Sequence, residues 1–181
     1  MNLKSIRSHL KPYSISAKRR TTVAHAFASA LAPCDKYDET RIADALTALG
    51  QSDLEHLTCV YCGHAAETWD HLENLVKAGQ LNGRGHQIGN LVPSCRNCNS
   101  EKGGKSFLKF VSENPSLSDA AKTDLILRLE QHLALAKPVA SSNNSETQEV
   151  LRRFFAVRDQ ILELMREADE YAAEVRSGSD G

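Results

Sequence analysis

Two Cys-x-x-Cys pairs, Cys59-Val60-Tyr61-Cys62 and Cys95-Arg96-Asn97-Cys98, stand 32 residues apart in this chain of 181. Their spacing constrains the fold more than any other feature. Each pair offers two thiolates from one tight turn, and together they supply the four ligands of a tetrahedral Zn²⁺ ion. Gly63 follows the first pair directly, where such a turn often needs a positive φ. A redox role would explain one pair and not two, and neither pair adjoins a βαβ pattern. Four thiolates leave no open coordination position, so Cys59, Cys62, Cys95 and Cys98 are expected to hold a structural zinc. His64, beside the first pair, is the competitor for one of those ligand positions.

The fifth cysteine, Cys34, has no partner nearby in sequence and is expected to be a buried small hydrophobe. An odd cysteine count without a secretory leader argues against a disulfide framework. The first 20 residues lack the apolar run of a signal peptide, and no stretch approaches the roughly 18 apolar residues of a membrane span. A cytoplasmic chain with no membrane partner is the expectation.

The flanks carry helical signals. Thr22 to Ala32 is rich in Ala and stops at Pro33. Asp38 to Leu49 places Ile42, Ala45, Leu46 and Leu49 on one face, with Gly50 as the C-terminal signal. A third helix is expected from Ser118 to Ala136. The stretch 138–144 has no apolar period and reads as a linker. Ser145-Glu146-Thr147-Gln148 has the spacing of a capping box. Beyond it, Val150, Phe154, Val157, Ile161, Leu164, Ala168, Tyr171 and Val175 recur at alternating steps of four and three. Such a stripe suits an amphipathic helix docked on the chain's own helices, or a coiled-coil seam over 145–176 that makes a homodimer.

Between the cysteine pairs lie Asp70-His71, the loop 83–89 containing Arg84 and His86, and Asn90-Leu91; Asn99, Lys102 and Lys105 follow the second pair. Asp70 and Asn99 offer oxygen ligands to a hard cation such as Mg²⁺. His71, with an ordinary pKa of about 6.5, can act as a base near neutral pH. Lys102 lies three residues beyond Asn99 and would share its helix face, where it could meet a phosphate. Taken singly, these residues have plainer readings: a surface Asp-His pair, a helix N-cap at Asn99, a turn at Asn90 and solvated charges at Arg84, Lys102 and Lys105. His86 is an alternative cation ligand or DNA contact.

Their joint order resembles the HNH nuclease family, in which two β-strands and a helix clasp a metal. The family pattern is Cys-x-x-Cys, Asp-His, Asn-Leu, a second Cys-x-x-Cys, then His-x-x-Lys. Here it is matched by Cys59-x-x-Cys62, Asp70-His71, Asn90-Leu91, Cys95-x-x-Cys98 and Asn99-x-x-Lys102. Asn99 departs, standing where the pattern has its final His. The resemblance covers residues 57–107. It implies His71 as general base, Asn90 as the residue that holds the His71 loop, and Asp70 with Asn99 as ligands of Mg²⁺ or Mn²⁺. An amide oxygen at the last position disfavours a softer ion such as Ni²⁺. Lys102, Arg84 and Lys105 are the expected phosphate contacts.

Near-equal charge, with 22 basic and 23 acidic residues, speaks at first against a nucleic-acid partner. Its distribution speaks otherwise. Residues 1–20 hold six basic side chains and no acid, while 57–107 carry a slight positive excess and the two helical blocks are acidic. Such an arm suits phosphate contacts with salt-sensitive binding, or else a solvated tail. The expected architecture is α+β, mainly helical, with a central zinc-braced ββα module at 57–107, a basic arm and helical region at 1–56, and a helical region at 108–181. The expected activity is metal-dependent hydrolysis of DNA, of restriction type. The rival is a zinc-knuckle protein that binds nucleic acid or a partner without cutting.

Overall fold

The computed structural model describes residues 6–7, 10–77, 80–82, 84–137 and 145–178. The expected linker at 138–144 lies outside them, as do several residues of the basic arm. The chain divides into two compact units, 1–27 with 142–181, and 28–141.

In the first unit, α1 (Ile15–Leu31, its last turn belonging to the second unit) begins a full two turns before the predicted Thr22. Its start is fixed by polar groups rather than by the Ala-rich run. The Ser14 hydroxyl accepts from Ala17 N at 3.1 Å. Asp169, from the last helix, accepts from Ile15 N at 2.6 Å and Ser16 N at 3.0 Å, and from the hydroxyls of Ser14 and Ser16. An acidic side chain there satisfies the free N–H groups of a helix start. These hydrogen bonds, those from Ser16 first, hold the Asp169 carboxyl well below the usual carboxylate range.

That last helix runs Ser145–Gly178. Its predicted stripe separates into two rows: Phe154, Ile161 and Ala168 are half-buried, with the Phe154 ring 5.0 Å from that of Phe27, whereas Val150, Val157, Leu164 and Tyr171 are exposed.

The second unit opens with α2 (Glu39–Ala48), within the predicted helix Asp38–Leu49 and capped by Asp38. β1 (Thr68–His71) pairs antiparallel with β4 (Leu91–Ser94), Asp70 opposite Val92 and His71 opposite Leu91. The chain between them forms a short hairpin, β2 (Val76–Lys77) and β3 (Gln80–Leu81), and a 3₁₀ turn at Ile88–Asn90. α3 (Arg96–Lys102) leaves β4 directly, so β1, β4 and α3 form the expected ββα unit. α4 (Phe107–Ser112) and α5 (Asp119–Leu133) follow, with Ser106 and Ser118 as their N-caps. The class is α+β and mainly helical.

Leu125, Leu129 and Leu133 recur every four residues on α5 and close one core with Leu46, Leu49, Tyr61, Leu72, Val92, Phe107 and Val111. Each such side chain contributes roughly 1.5–3 kcal/mol on burial. Cys59 and Cys95 belong to the same cluster, so the paired-cysteine region is continuous with the core. Cys34 does not behave as predicted. It is exposed, and its backbone pairs in parallel with His86. No helix among the described residues is long and apolar enough to cross a membrane.

Candidate active site

The four cysteines of the two pairs converge. Their sulfurs all lie within 4.8 Å of one another, and Cys62 Sγ is 3.7 Å from Cys95 Sγ. Ligands about 2.3 Å from a tetrahedral ion stand roughly 3.8 Å apart, so the cluster has the dimensions of a four-thiolate site. The first pair is shaped by Gly63, whose φ of +74° lets its N–H reach Cys59 O at 2.8 Å. The second is shaped by the start of α3, where Cys95 is the N-cap and its sulfur accepts from Cys98 N. His64 lies beside this group of four rather than within it. Its Nδ1 lies 3.3 Å from Cys62 Sγ, at hydrogen-bonding distance for sulfur.

Adjacent residues on a strand point to opposite faces, and β1 exploits this. Asp70 turns inward at 5 % exposure, while His71 is half-buried on the other face. Asp70 Oδ2 accepts from the Tyr61 hydroxyl at 2.7 Å, and Oδ1 from Lys102 Nζ at 3.1 Å. Lys102 is fully buried and also donates to the His71 carbonyl at 2.7 Å. It therefore cannot be the phosphate contact its sequence position suggested: it is an internal brace joining α3 to β1. Burial, reinforced by the Asp70 charge, pushes the Tyr61 hydroxyl far above its ordinary range, so it remains a donor. For His71, burial first and then the neighbouring His86 and Lys102 outweigh Asp70 and lower its pKa. The imidazole is thereby kept neutral, the form that can take a proton.

Asn90 is fully buried at the end of the 3₁₀ turn and holds two loops together. Its Oδ1 accepts from Glu73 N at 2.8 Å, and its Nδ2 donates to Glu73 O at 3.1 Å and Gly85 O at 3.0 Å. One loop follows His71 directly; the other precedes His86. Asn90→Ala should leave these groups unpaired at about 1–3 kcal/mol for each one that water cannot reach. Urea denaturation would show the loss as a lower midpoint; an unchanged midpoint would refute this role.

The remaining expected phosphate contacts are placed differently. Arg84 pairs with Glu73 at 2.7 Å and reaches toward Ala136 O, so it ties the same loop to the end of α5. Lys105 is exposed, with its ammonium 5.9 Å from the centroid of the Phe110 ring. Asn99 sits inside α3 rather than at its N-cap, and its Nδ2 lies 3.5 Å from Trp69 O. Tyr61 and Glu73 are the members that sequence reasoning did not place, and His86, expected as an alternative cation ligand or DNA contact, lies against His71 instead. Tyr61 stands at a variable position of a Cys-x-x-Cys pair and Glu73 in an ordinary loop, so neither carries a local signal.

Two metal sites can be tested against this chemistry. The cysteine cluster fits a thiophilic ion such as zinc. For a hard cation, the donor types are suitable: the Asn99 amide oxygen has no hydrogen bond among the described residues, and each Asp70 oxygen keeps a second lone pair. An ion there would share Asp70 with the Lys102 ammonium, whose charge opposes it. His71, the next residue along β1, lies on the opposite face of the strand from Asp70.

Comparison with family models matches residues 59–105 to the HNH endonuclease family. The matched span begins at the first knuckle and ends just beyond α3. Comparisons with curated proteins and with solved structures return no match.

Proposed function

We propose that residues 57–107 form a metal-dependent DNA endonuclease module that hydrolyses phosphodiester bonds with His71 as general base. The observation that supports this most directly is the His71 imidazole itself. It is half-buried, biased toward its neutral form and fixed at the end of a strand within the HNH-matched span. Asn90 would position the loop that bears it. Asp70 and Asn99 would hold Mg²⁺ or Mn²⁺, which when bound supplies charge stabilisation at the phosphate and the leaving oxygen. The zinc knuckle would hold β1 and α3 in register and take no part in the reaction.

The flanking regions, 1–56 and 108–181, would serve binding and assembly. Lys18, Arg19 and Arg20 are exposed near the start of α1 and would contact phosphates, which makes binding salt-sensitive. The exposed row on the last helix, Ser145–Gly178, would support a homodimer, the arrangement that lets one site per chain cut both strands of a restriction-type target. The engagement of Asp70 by Lys102 and Tyr61 favours the second reading, a zinc-knuckle protein that binds without cutting.

His71→Ala separates the two. A general base typically contributes about 10²–10⁴-fold, so nicking of supercoiled plasmid in Mg²⁺ or Mn²⁺ should fall by that factor. Equal nicking by both proteins would remove His71 from the mechanism. No nicking by either, across varied DNA substrates, would leave the binding reading.

A further inference from the structure

His71 does not stand alone at the site. Its Nε2 lies 3.1 Å from His86 Nδ1, with the two rings 5.1 Å apart at 67°. We propose, resting on the reading of His71 as base, that His86 is its positioning residue. Its Nδ1 accepts a hydrogen bond from His71 Nε2–H and so fixes which nitrogen of His71 faces water.

The backbone that carries His86 is held from several sides. Its N–H donates to Pro33 O at 2.8 Å and its carbonyl accepts from Asp35 N at 3.1 Å. One residue earlier, a Cβ at Gly85 would meet Pro33 O at 2.1 Å, so only glycine lets the segment approach this closely. Two residues later, Ile88 N donates to the Asp35 carboxylate at 3.0 Å. Asn90 then ties Gly85 to Glu73, and through Glu73 to the segment that follows His71. Both histidines are thus presented on fixed backbone, and their contact follows from the fold rather than from a chance meeting of mobile loops.

Only one tautomer pairing leaves His71 able to act. If His86 donated, His71 Nε2 would spend its lone pair as acceptor and its Nδ1 would carry the hydrogen, leaving no basic nitrogen. With His71 as donor, its Nδ1 keeps the lone pair, and no protein group meets that atom within hydrogen-bonding distance among the described residues. A water proton would pass to Nδ1 as the hydroxide oxygen bonds to phosphorus, while the bond from phosphorus to the leaving sugar oxygen breaks and that oxygen takes a proton from solvent water. The resulting imidazolium would keep its Nε2–H on the His86 lone pair, which stabilises the positive charge. His86 carries its own hydrogen on Nε2, toward solvent.

The test is single-turnover plasmid cleavage by the full chain with His86→Ala, His86→Gln, His71→Ala and the double alanine variant, alongside DNA affinity and melting temperature. Partners that orient a catalytic group in this way are worth roughly 10–100-fold. His86→Ala should slow cleavage by that factor while affinity and melting temperature stay unchanged. His86→Gln, whose amide oxygen can accept the same hydrogen bond, should recover most of the rate. In the His71→Ala background, removing His86 should change nothing further. Cleavage by His86→Ala at the wild-type rate would overturn the proposal, as would a glutamine variant no faster than alanine. An effect of His86 that persists without His71 would also overturn it and assign His86 to the cation or the DNA. If His71→Ala cuts normally, the base assignment itself fails; if it is inactive while His86→Ala is unaffected, only the positioning role fails.

Discussion

Cys95→Ser should abolish zinc retention by the four-cysteine cluster, and with it the cooperative unfolding of residues 28–141. The substitution leaves the backbone cap of the helix in place. Cys95 is the N-cap of α3, and serine is among the preferred N-cap residues, so the start of the helix remains capped. What is lost is one of the four converging sulfurs that bring the 59–62 turn against the junction of β4 and α3. Structural zinc binding in small domains is worth about 10–16 kcal/mol near neutral pH, comparable with the whole stability of a domain. Because Cys59 and Cys95 also belong to the main core cluster, loosening the knuckle exposes apolar surface around Tyr61 and Val92 rather than fraying an edge. Metal analysis and thermal melting would show both effects together. Cys34→Ser, exposed and outside the cluster, is the control and should keep one zinc per chain. A Cys95→Ser protein that keeps stoichiometric zinc and melts as before would refute the four-thiolate site. Retention of zinc that is lost only on adding His64→Ala would identify the imidazole beside Cys62 as the replacement ligand.

The cysteine site was legible in the sequence because its chemistry is carried by residue type and local spacing, which survive projection onto one dimension. The helix starts at Asp38 and Ser118 were legible for the same reason, since a cap acts on backbone groups two or three residues away. α1 was misplaced because part of its start is satisfied by Asp169, more than 150 residues distant. Lys102 shows a different failure. A lysine between Glu101 and Gly103 reads as solvated charge, and nothing local reveals that α3 turns it inward onto a carboxylate that β1 also turns inward. The contact of His71 with His86 depends on Asn90 closing two loops and on residues 33–35 clamping one of them. Cys34 is exposed for a related reason: its segment serves as backbone support for His86. Residue order in 57–107 singled out Asp70, His71, Asn90 and Lys102 as candidates, while Tyr61, Glu73 and the contacts that join them came from the packing of the fold.

Lys102→Met should destabilise the protein by about 3–5 kcal/mol. The ammonium is fully buried and the Asp70 side chain is 6 % exposed, so removal of one partner leaves a carboxylate with no cation and little access to water. Among the described residues, the Tyr61 hydroxyl would remain its only strong donor. Lys102 also donates to the His71 carbonyl, so the end of β1 would lose its tie to α3 at the residue that bears the base. Methionine approximates the lysine stem in volume, which limits the cavity contribution. Neutralising both partners should be far milder than removing one: Lys102→Met with Asp70→Asn should recover most of the loss, because no unpaired charge is then buried. Equilibrium urea unfolding of the two single variants and the double would measure the coupling. A surface lysine on DNA behaves otherwise. Its removal leaves the urea midpoint unchanged, weakens DNA binding on all sequences, and reduces the slope of log affinity against log salt by about 1. That pattern in Lys102→Met would restore the phosphate contact and remove the brace. The opposite pattern, a lowered midpoint rescued by Asp70→Asn, would make Asp70 a residue whose charge is already balanced. A divalent cation must then compete with an internal ammonium, so occupancy of the Asp70–Asn99 position would be weak and steeply dependent on metal concentration.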